Sequence, residues 1–175
     1  FYLPATEGGV VRRALRGIVK RVDPEFGALD APRTDRDSIV DDVLATTKDE
    51  QEIRALIERW ARAVHAGDLD AVLADHTRDI VMYDVPPPHD GVRGIEEYAA
   101  TWPPFFGFQA SGACFDILEL DVTAGADVAF AHALMLCATP DERAAHPERS
   151  LRLTVGLRKE DGRWVVAHEH HSFAD

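Results

Sequence analysis

The second half of the chain constrains the fold most. From about residue 113 onward, four strand-like runs follow one another, near 113–122, 127–138, 150–160 and 163–173. Asp161-Gly162, between the last two, has the residues of a tight hairpin turn. The first half reads as helices. Ile53, Leu56, Ile57, Trp60 and Val64 make one apolar stripe at helical spacing, and Thr47-Lys48-Asp49-Glu50 before it fits a capping box. Gly67 stops this helix, and Asp68 caps a short second one over Leu69 to His76. A third helical segment runs from about Ile95 to Trp102 and is expected to halt at Pro103-Pro104. Helices first and an antiparallel meander after is an α+β order, with helices packed on one face of a strongly curved sheet.

Residues 1–45 read differently from 46–175, which form the main domain. Val10, Val11, Ala14, Leu15, Ile18, Val19 and Val22 recur at helical spacing with Arg12, Arg13, Arg16, Lys20 and Arg21 between them. This is an amphipathic basic helix, expected to dock on its own domain or on a partner subunit. Residues 23–45 mix Pro, Gly, Asp and Arg and read as a linker. The net charge of −12 argues against nucleic acid and anionic membrane surfaces as partners. No apolar run approaches the roughly 20 residues of a membrane helix. No secretory signal pattern opens the sequence, and cytoplasm is the expected compartment. Cys114 and Cys137 sit in apolar strand-like runs and read as buried, reduced thiols.

Asp84 is the leading candidate for chemistry. It ends the apolar run Ile80-Val81-Met82-Tyr83-Asp84-Val85, just before three prolines, and shares the Ile80/Met82 side. An acid held among apolar groups is expected to have a raised pKa, which suits a general base near neutral pH. The plainer alternative is an acid that caps a backbone N–H at the proline turn. His132 lies mid-strand with Phe130 and Leu134 on its face; it is either a site residue or a core histidine with a hydrogen-bond partner. The last strand places Trp164, Val166, His168, His170 and Ser172 on one face and Val165, Ala167, Glu169 and His171 on the other. Periodicity alone leaves open which face looks inward, and a bulge near His170-His171 would reverse part of the pattern. His168 and His170 have His-x-His spacing. Zinc would need a further ligand from His132, Glu169 or Asp84, and no metal is expected. His65, His76, His89 and His146 fall at helix ends or in loops and are assigned no role. Phosphate loops, nucleophile elbows and dinucleotide fingerprints are absent from the sequence, and no cofactor is expected.

The order helix, Gly67-Asp68-Leu69-Asp70, apolar strand, proline loop, helix and closing meander resembles the nuclear transport factor 2-like superfamily, within it the SnoaL-like and ketosteroid isomerase-like group. The resemblance covers about residues 47 to 173. Gly162-Arg163-Trp164 followed by Ala167-His168-Glu169-His170-His171-Ser172 also resembles the end of the calcium/calmodulin-dependent protein kinase II association domain. The resemblance implies a cone-shaped, half-open barrel with a deep pocket, paired as a homodimer through the outer face of its sheet. It aligns Asp84 with the isomerase's catalytic aspartate and Trp60 with a tyrosine that helps hold the oxyanion. The second oxyanion acid falls near Val155, which donates nothing, so steroid isomerisation does not carry over. By the same resemblance, Phe130 and His132 face the pocket, Glu169 and His171 turn inward, and Trp60, Trp102, Phe105 and Phe106 line the wall. Together these imply a small-molecule enzyme of isomerase, cyclase or dehydratase type acting on a hydrophobic or carbonyl-containing ligand. Asp84 and His132 would be its catalytic residues. The alternative is a non-catalytic ligand-binding or oligomerisation module of the same fold.

Overall fold

The structure, a computed structural model, describes residues 34–173, with side chains from 47 onward. The basic helix expected over 10–22 lies outside the described residues. Contacts divide the chain at Ser38/Ile39, and the unit considered below is Ile39–Asp175.

Helix α1 spans Thr34–Ala66. It corrects two expectations. The last part of the supposed linker is helical, and Thr47 to Glu50 lie inside the helix rather than at its start. The reason is local: no Pro or Gly occurs between Thr34 and Ala66, so nothing interrupts propagation once the buried stripe anchors the helix. That stripe is as read: Ile53, Leu56, Ile57, Trp60 and Val64 are all buried. Each aliphatic member contributes roughly 1.5–3 kcal/mol by leaving water. Gly67, at φ 68, ends the helix. The Asp68 side chain then accepts the Ala71 N–H and caps α2, Leu69–Leu73. This helix is shorter than expected, because His76 already belongs to strand β1, His76–Tyr83.

A two-residue strand, β2 (Val92–Arg93), pairs back on β1 and leads into helix α3, Ile95–Gln109. Gly91, before it, has φ 82, and a Cβ there would lie 2.5 Å from the Met82 carbonyl oxygen. No other residue fits. Helix α3 does not halt at Pro103-Pro104 but passes through both. The prolines remove two backbone donors. Burial of Tyr98 and Trp102, with Phe105 and Phe106 packed on the same core, outweighs that loss.

The meander follows as β3 (Cys114–Ala124), β4 (Val128–Ala138), β5 (Leu151–Glu160) and β6 (Arg163–Phe173), with one short helix, α4 (Pro140–Ala145), between β4 and β5. The order across the single six-stranded, curved and unclosed sheet is β2-β1-β6-β5-β4-β3. All neighbours are antiparallel except β1 and β6, which run parallel. Asp161 and Gly162 both adopt positive φ in the β5–β6 turn, as the residue pair predicts.

One irregularity decides the site. Gly156 pairs with His168 but Leu157 pairs with Val166, which leaves Ala167 as an extra residue in β6. Before this bulge Trp164 and Val166 are buried; after it Glu169 and His171 are buried. Two sets that strict alternation puts on opposite faces therefore share the inner one.

Candidate functional site

A cavity of about 880 Å³ opens between α3, the proline loop and the inner face of the sheet. Trp102, Phe105, Phe108 and Phe115 are among its apolar lining, with Pro86, Pro87 and Pro88. Its size suits a small-molecule ligand. Asp84 and His171 meet on its wall, with Nδ1 of His171 3.2 Å from Oδ1 of Asp84.

Asp84 arrives there because β1 alternates Ile80 and Met82 inward and the next inward position is 84. Its Oδ1 accepts both the Val85 N–H at 2.7 Å and the His171 Nδ1–H. Both sequence readings of Asp84 thus hold at once: it caps a backbone N–H and it faces the cavity. The expected rise in its pKa is corrected. Burial does push the carboxyl up, but the hydrogen bond and charge of His171, with the Val85 N–H, outweigh it, and the net shift is downward. His171 is buried, with 6 % of its side chain exposed. Burial disfavours its charged form, yet the Asp84 hydrogen bond and the Glu169 and Asp84 charges prevail and raise its pKa. Each partner thus favours the charged form of the other.

Behind His171 lies a polar cluster inside the core. Glu169 Oε2 is 3.6 Å from His171 Nε2. Glu169 Oε1 is 2.7 Å from His76 Nε2 and accepts the Tyr98 hydroxyl at 2.9 Å. The Tyr98 oxygen in turn accepts the Trp60 indole N–H at 3.3 Å. Burial and the Glu169 charge push the Tyr98 phenol well above its ordinary pKa, so it remains a donor. His76 and Tyr98 are additions to the sequence reading. His76, expected at a helix end, instead begins β1, and its side chain is fully buried. Tyr98 gave a detectable signal: a tyrosine three residues into an amphipathic helix, four before Trp102, falls on the buried face.

The remaining expected residues divide. Trp102 lines the cavity, as expected. Trp60 does not. It sits behind the wall, stacked on His171 at 6.4 Å, with its N–H engaged by Tyr98. Phe106 stacks on Trp102 and stays outside the lining. Phe105 lines the cavity, as expected, and because α3 continues through the prolines, Thr101, Pro104 and Phe108 share that face. Glu169 turns inward, as expected, but lies under His171 rather than on the cavity surface.

Phe130 and His132 are corrected outright. Phe130 is 51 % exposed on the opposite face of the sheet. His132 stands beside it, stacked at 6.4 Å and 3.7 Å from Asp121. The inward residues of β4 are the small ones, Ala131 and Ala133, together with Met135. They share a buried cluster with the bulky stripe of α1, which fills the space that larger strand residues would take. His168 and His170 also face away from Asp84, each edge-on to Tyr83, and His168 Nδ1 contacts the Val81 carbonyl. Among the described residues, no three His, Cys, Asp or Glu side chains cluster as metal ligands would. Cys137 reaches the cavity, but burial pushes its thiol up to about 12, so it is no nucleophile at neutral pH. None of the described helices is long and apolar enough to cross a membrane.

Comparison with known proteins agrees with this architecture. The SnoaL-like domain model matches residues 53–175. An NTF2-like protein of unknown function from Pseudomonas putida is 36% identical; the match covers 73% of this chain and 87% of that one, with a TM-score of 0.65. An NTF2-like protein with a cystatin-like fold from Novosphingobium aromaticivorans is 18% identical over 82% of this chain and 92% of that one, at a TM-score of 0.63. A protein described as ketosteroid isomerase-like from Parabacteroides distasonis is 18% identical over 70% and 86%, at 0.54. The last two show likeness of fold alone. Among curated proteins, none matches this chain in sequence. With a family model covering most of its length and the curved sheet in place, the chain belongs to the SnoaL-like family.

Proposed function

We propose that the protein is a cofactor-free enzyme of the isomerase, cyclase or dehydratase type, in which Asp84 moves a proton on a hydrophobic carbonyl ligand. The observation that carries this is the Asp84–His171 pair on the wall of an apolar cavity. Asp84 Oδ1 is occupied by Val85 and His171, while Oδ2 has no hydrogen-bond partner among the described residues and is free to meet a ligand. His171 acts as a positioning residue. It fixes the carboxylate and stabilises its charged form, and the same pairing makes Asp84 a weaker base than an isolated buried acid. The proton it removes must therefore be acidified, as it is between two carbonyls or along a conjugated ketone. Trp102, Phe105 and Phe115 exclude water from the reacting carbon.

The test is proton–deuterium exchange in D2O, followed by NMR on a panel of aromatic 1,3-diketones. Asp84→Asn should slow protein-dependent exchange by at least about a hundredfold while circular dichroism stays unchanged. Exchange that survives undiminished in this variant refutes the mechanism.

A second reading has its own support. Trp60 Nε1 is engaged by Tyr98 and Val155 lies buried in the sheet, so neither serves an oxyanion. A cavity without those donors also suits a non-catalytic binding module. Pairing of two copies through the outer sheet face fits either reading, since Leu118, Val128 and Phe130 are exposed there. A wild-type protein that binds the diketones without exchanging their protons would favour the module.

A further inference from the structure

The cavity has a second polar feature, which the Asp84 chemistry does not use. Arg149 lines it, with its guanidinium carbon 3.9 Å from the centroid of the Phe173 ring. Stacking of this kind holds the planar cation in place and leaves its N–H edge free. Among the described residues, the guanidinium makes no hydrogen bond or ion pair, although its charge is felt by Glu142, and each acid of the lining already has one carboxylate oxygen engaged. Asp84 takes the Val85 N–H and His171. Glu97 accepts the Arg93 N–H. Glu142 closes the capping box of α4, accepting the Thr139 N–H and hydroxyl at 2.8 and 2.9 Å. Among the described residues, Arg149 is therefore the one charged side chain of the lining that makes no hydrogen bond, whereas Asp84, Glu97 and Glu142 each make at least one.

Two independent facts extend this. Arg149 is exposed, which places it where the cavity meets solvent, while the Asp84–His171 pair lies at the part-buried wall. The same lining holds the aromatic side chains Phe105, Phe108, Phe115 and Trp102. A ligand that satisfies both ends has a flat apolar body and one anionic group. A carboxylate matches the fork of a guanidinium in two parallel hydrogen bonds.

We propose that Arg149 is an anion-recognition residue and that the ligands of this cavity are aromatic or conjugated carboxylates. Their acid end sits on Arg149 and the opposite end is presented to Asp84. This deepens the enzymatic reading by naming its substrate class, but the binding claim is read without turnover.

The experiment compares 2-naphthoate with 2-naphthamide, which share the ring system and offer Arg149 a charged carboxylate or a neutral amide. Binding is measured at pH 7 by isothermal titration calorimetry on the full chain. The carboxylate should bind at least about tenfold tighter than the amide, as a charge-assisted pair does over a neutral one. Arg149→Gln should erase that preference by weakening naphthoate alone, with the amide unchanged. Asp84→Asn should retain the preference. Equal affinity of acid and amide for the wild type, no binding of either, or a preference that persists in Arg149→Gln overturns the proposal. A thermal melt of Arg149→Gln matching wild type shows that the fold is intact; with such a melt, loss of binding to both probes also counts against it. Loss of exchange chemistry with this preference intact would instead sink only the enzymatic reading.

Discussion

Replacing Tyr98 by Phe tests the polar cluster that backs the site. The substitution keeps the ring and its packing against Trp102 and removes one hydroxyl oxygen. That hydroxyl donates to Glu169 at 2.9 Å, accepts from Trp60 at 3.3 Å and lies 3.0 Å from His76 Nε2, in a residue with no exposed surface. A hydrogen bond to a charged acceptor is worth about 1.5–3 kcal/mol net. The orphaned indole N–H adds about 1 kcal/mol, at the low end for an unsatisfied buried donor because its bond is long. His76 still contacts Glu169 Oε1 at 2.7 Å and softens the loss. The expected destabilisation is therefore about 2–4 kcal/mol, a large share of the roughly 5–15 kcal/mol that holds a domain together. Urea unfolding followed by tryptophan fluorescence measures it. Trp60→Phe, alone and combined with Tyr98→Phe, completes a double-mutant cycle. The coupling should be about 0.5–1.5 kcal/mol. A Tyr98→Phe midpoint indistinguishable from wild type would show that the hydroxyl is not the donor described, and the cluster as drawn would be wrong.

Two further outcomes follow from the same geometry. Asp84 has a depressed pKa, so its contribution to stability is present above the ordinary carboxylate range and is lost as pH falls through its folded value. His171 has a raised pKa, so its contribution is full below the ordinary imidazole value and is lost as pH rises through its folded value. The pair thus stabilises most between about pH 4 and 6.5; urea midpoints at pH 5.5 and 8.5 should differ in favour of the lower pH, and the difference should shrink in Asp84→Asn. A difference unaltered by that substitution would remove the pair from the account. Gly91→Ala places a Cβ 2.5 Å from the Met82 carbonyl at a φ of 82 and should destabilise by about 1–3 kcal/mol, again by urea; a neutral result would mean that the β1–β2 turn is not as described.

The sequence was most legible where one periodicity governs one element. The α1 stripe, the Ile80/Met82/Asp84 side of β1 and the Asp161-Gly162 turn all follow from spacing, and all are found. Errors arose where a local rule met a tertiary one. Two prolines normally end a helix, but aromatic burial on both sides carries α3 across Pro103-Pro104, and the cavity face keeps Phe105, gains Phe108 and loses Phe106. Large apolar residues normally face inward, but in β4 the inward positions are alanines and Phe130 and His132 face out. The last strand shows the limit most clearly. Alternation predicts that burying Trp164 and Val166 exposes Glu169 and His171. A single extra residue, Ala167, lets all four be buried. Nothing in the side-chain pattern announces a bulge. The family resemblance placed Glu169 and His171 inward without explaining how, and the bulge supplies the explanation.

The account rests on a carboxyl and an imidazole that favour each other's charged forms at the edge of an apolar cavity. NMR titration of the His171 ring, assigned through His171→Gln, reports this directly. The predicted result is a titration midpoint above the ordinary imidazole value in the wild type, moving downward in Asp84→Asn. A His171 that titrates at or below the ordinary value, with no response to Asp84→Asn, would contradict it.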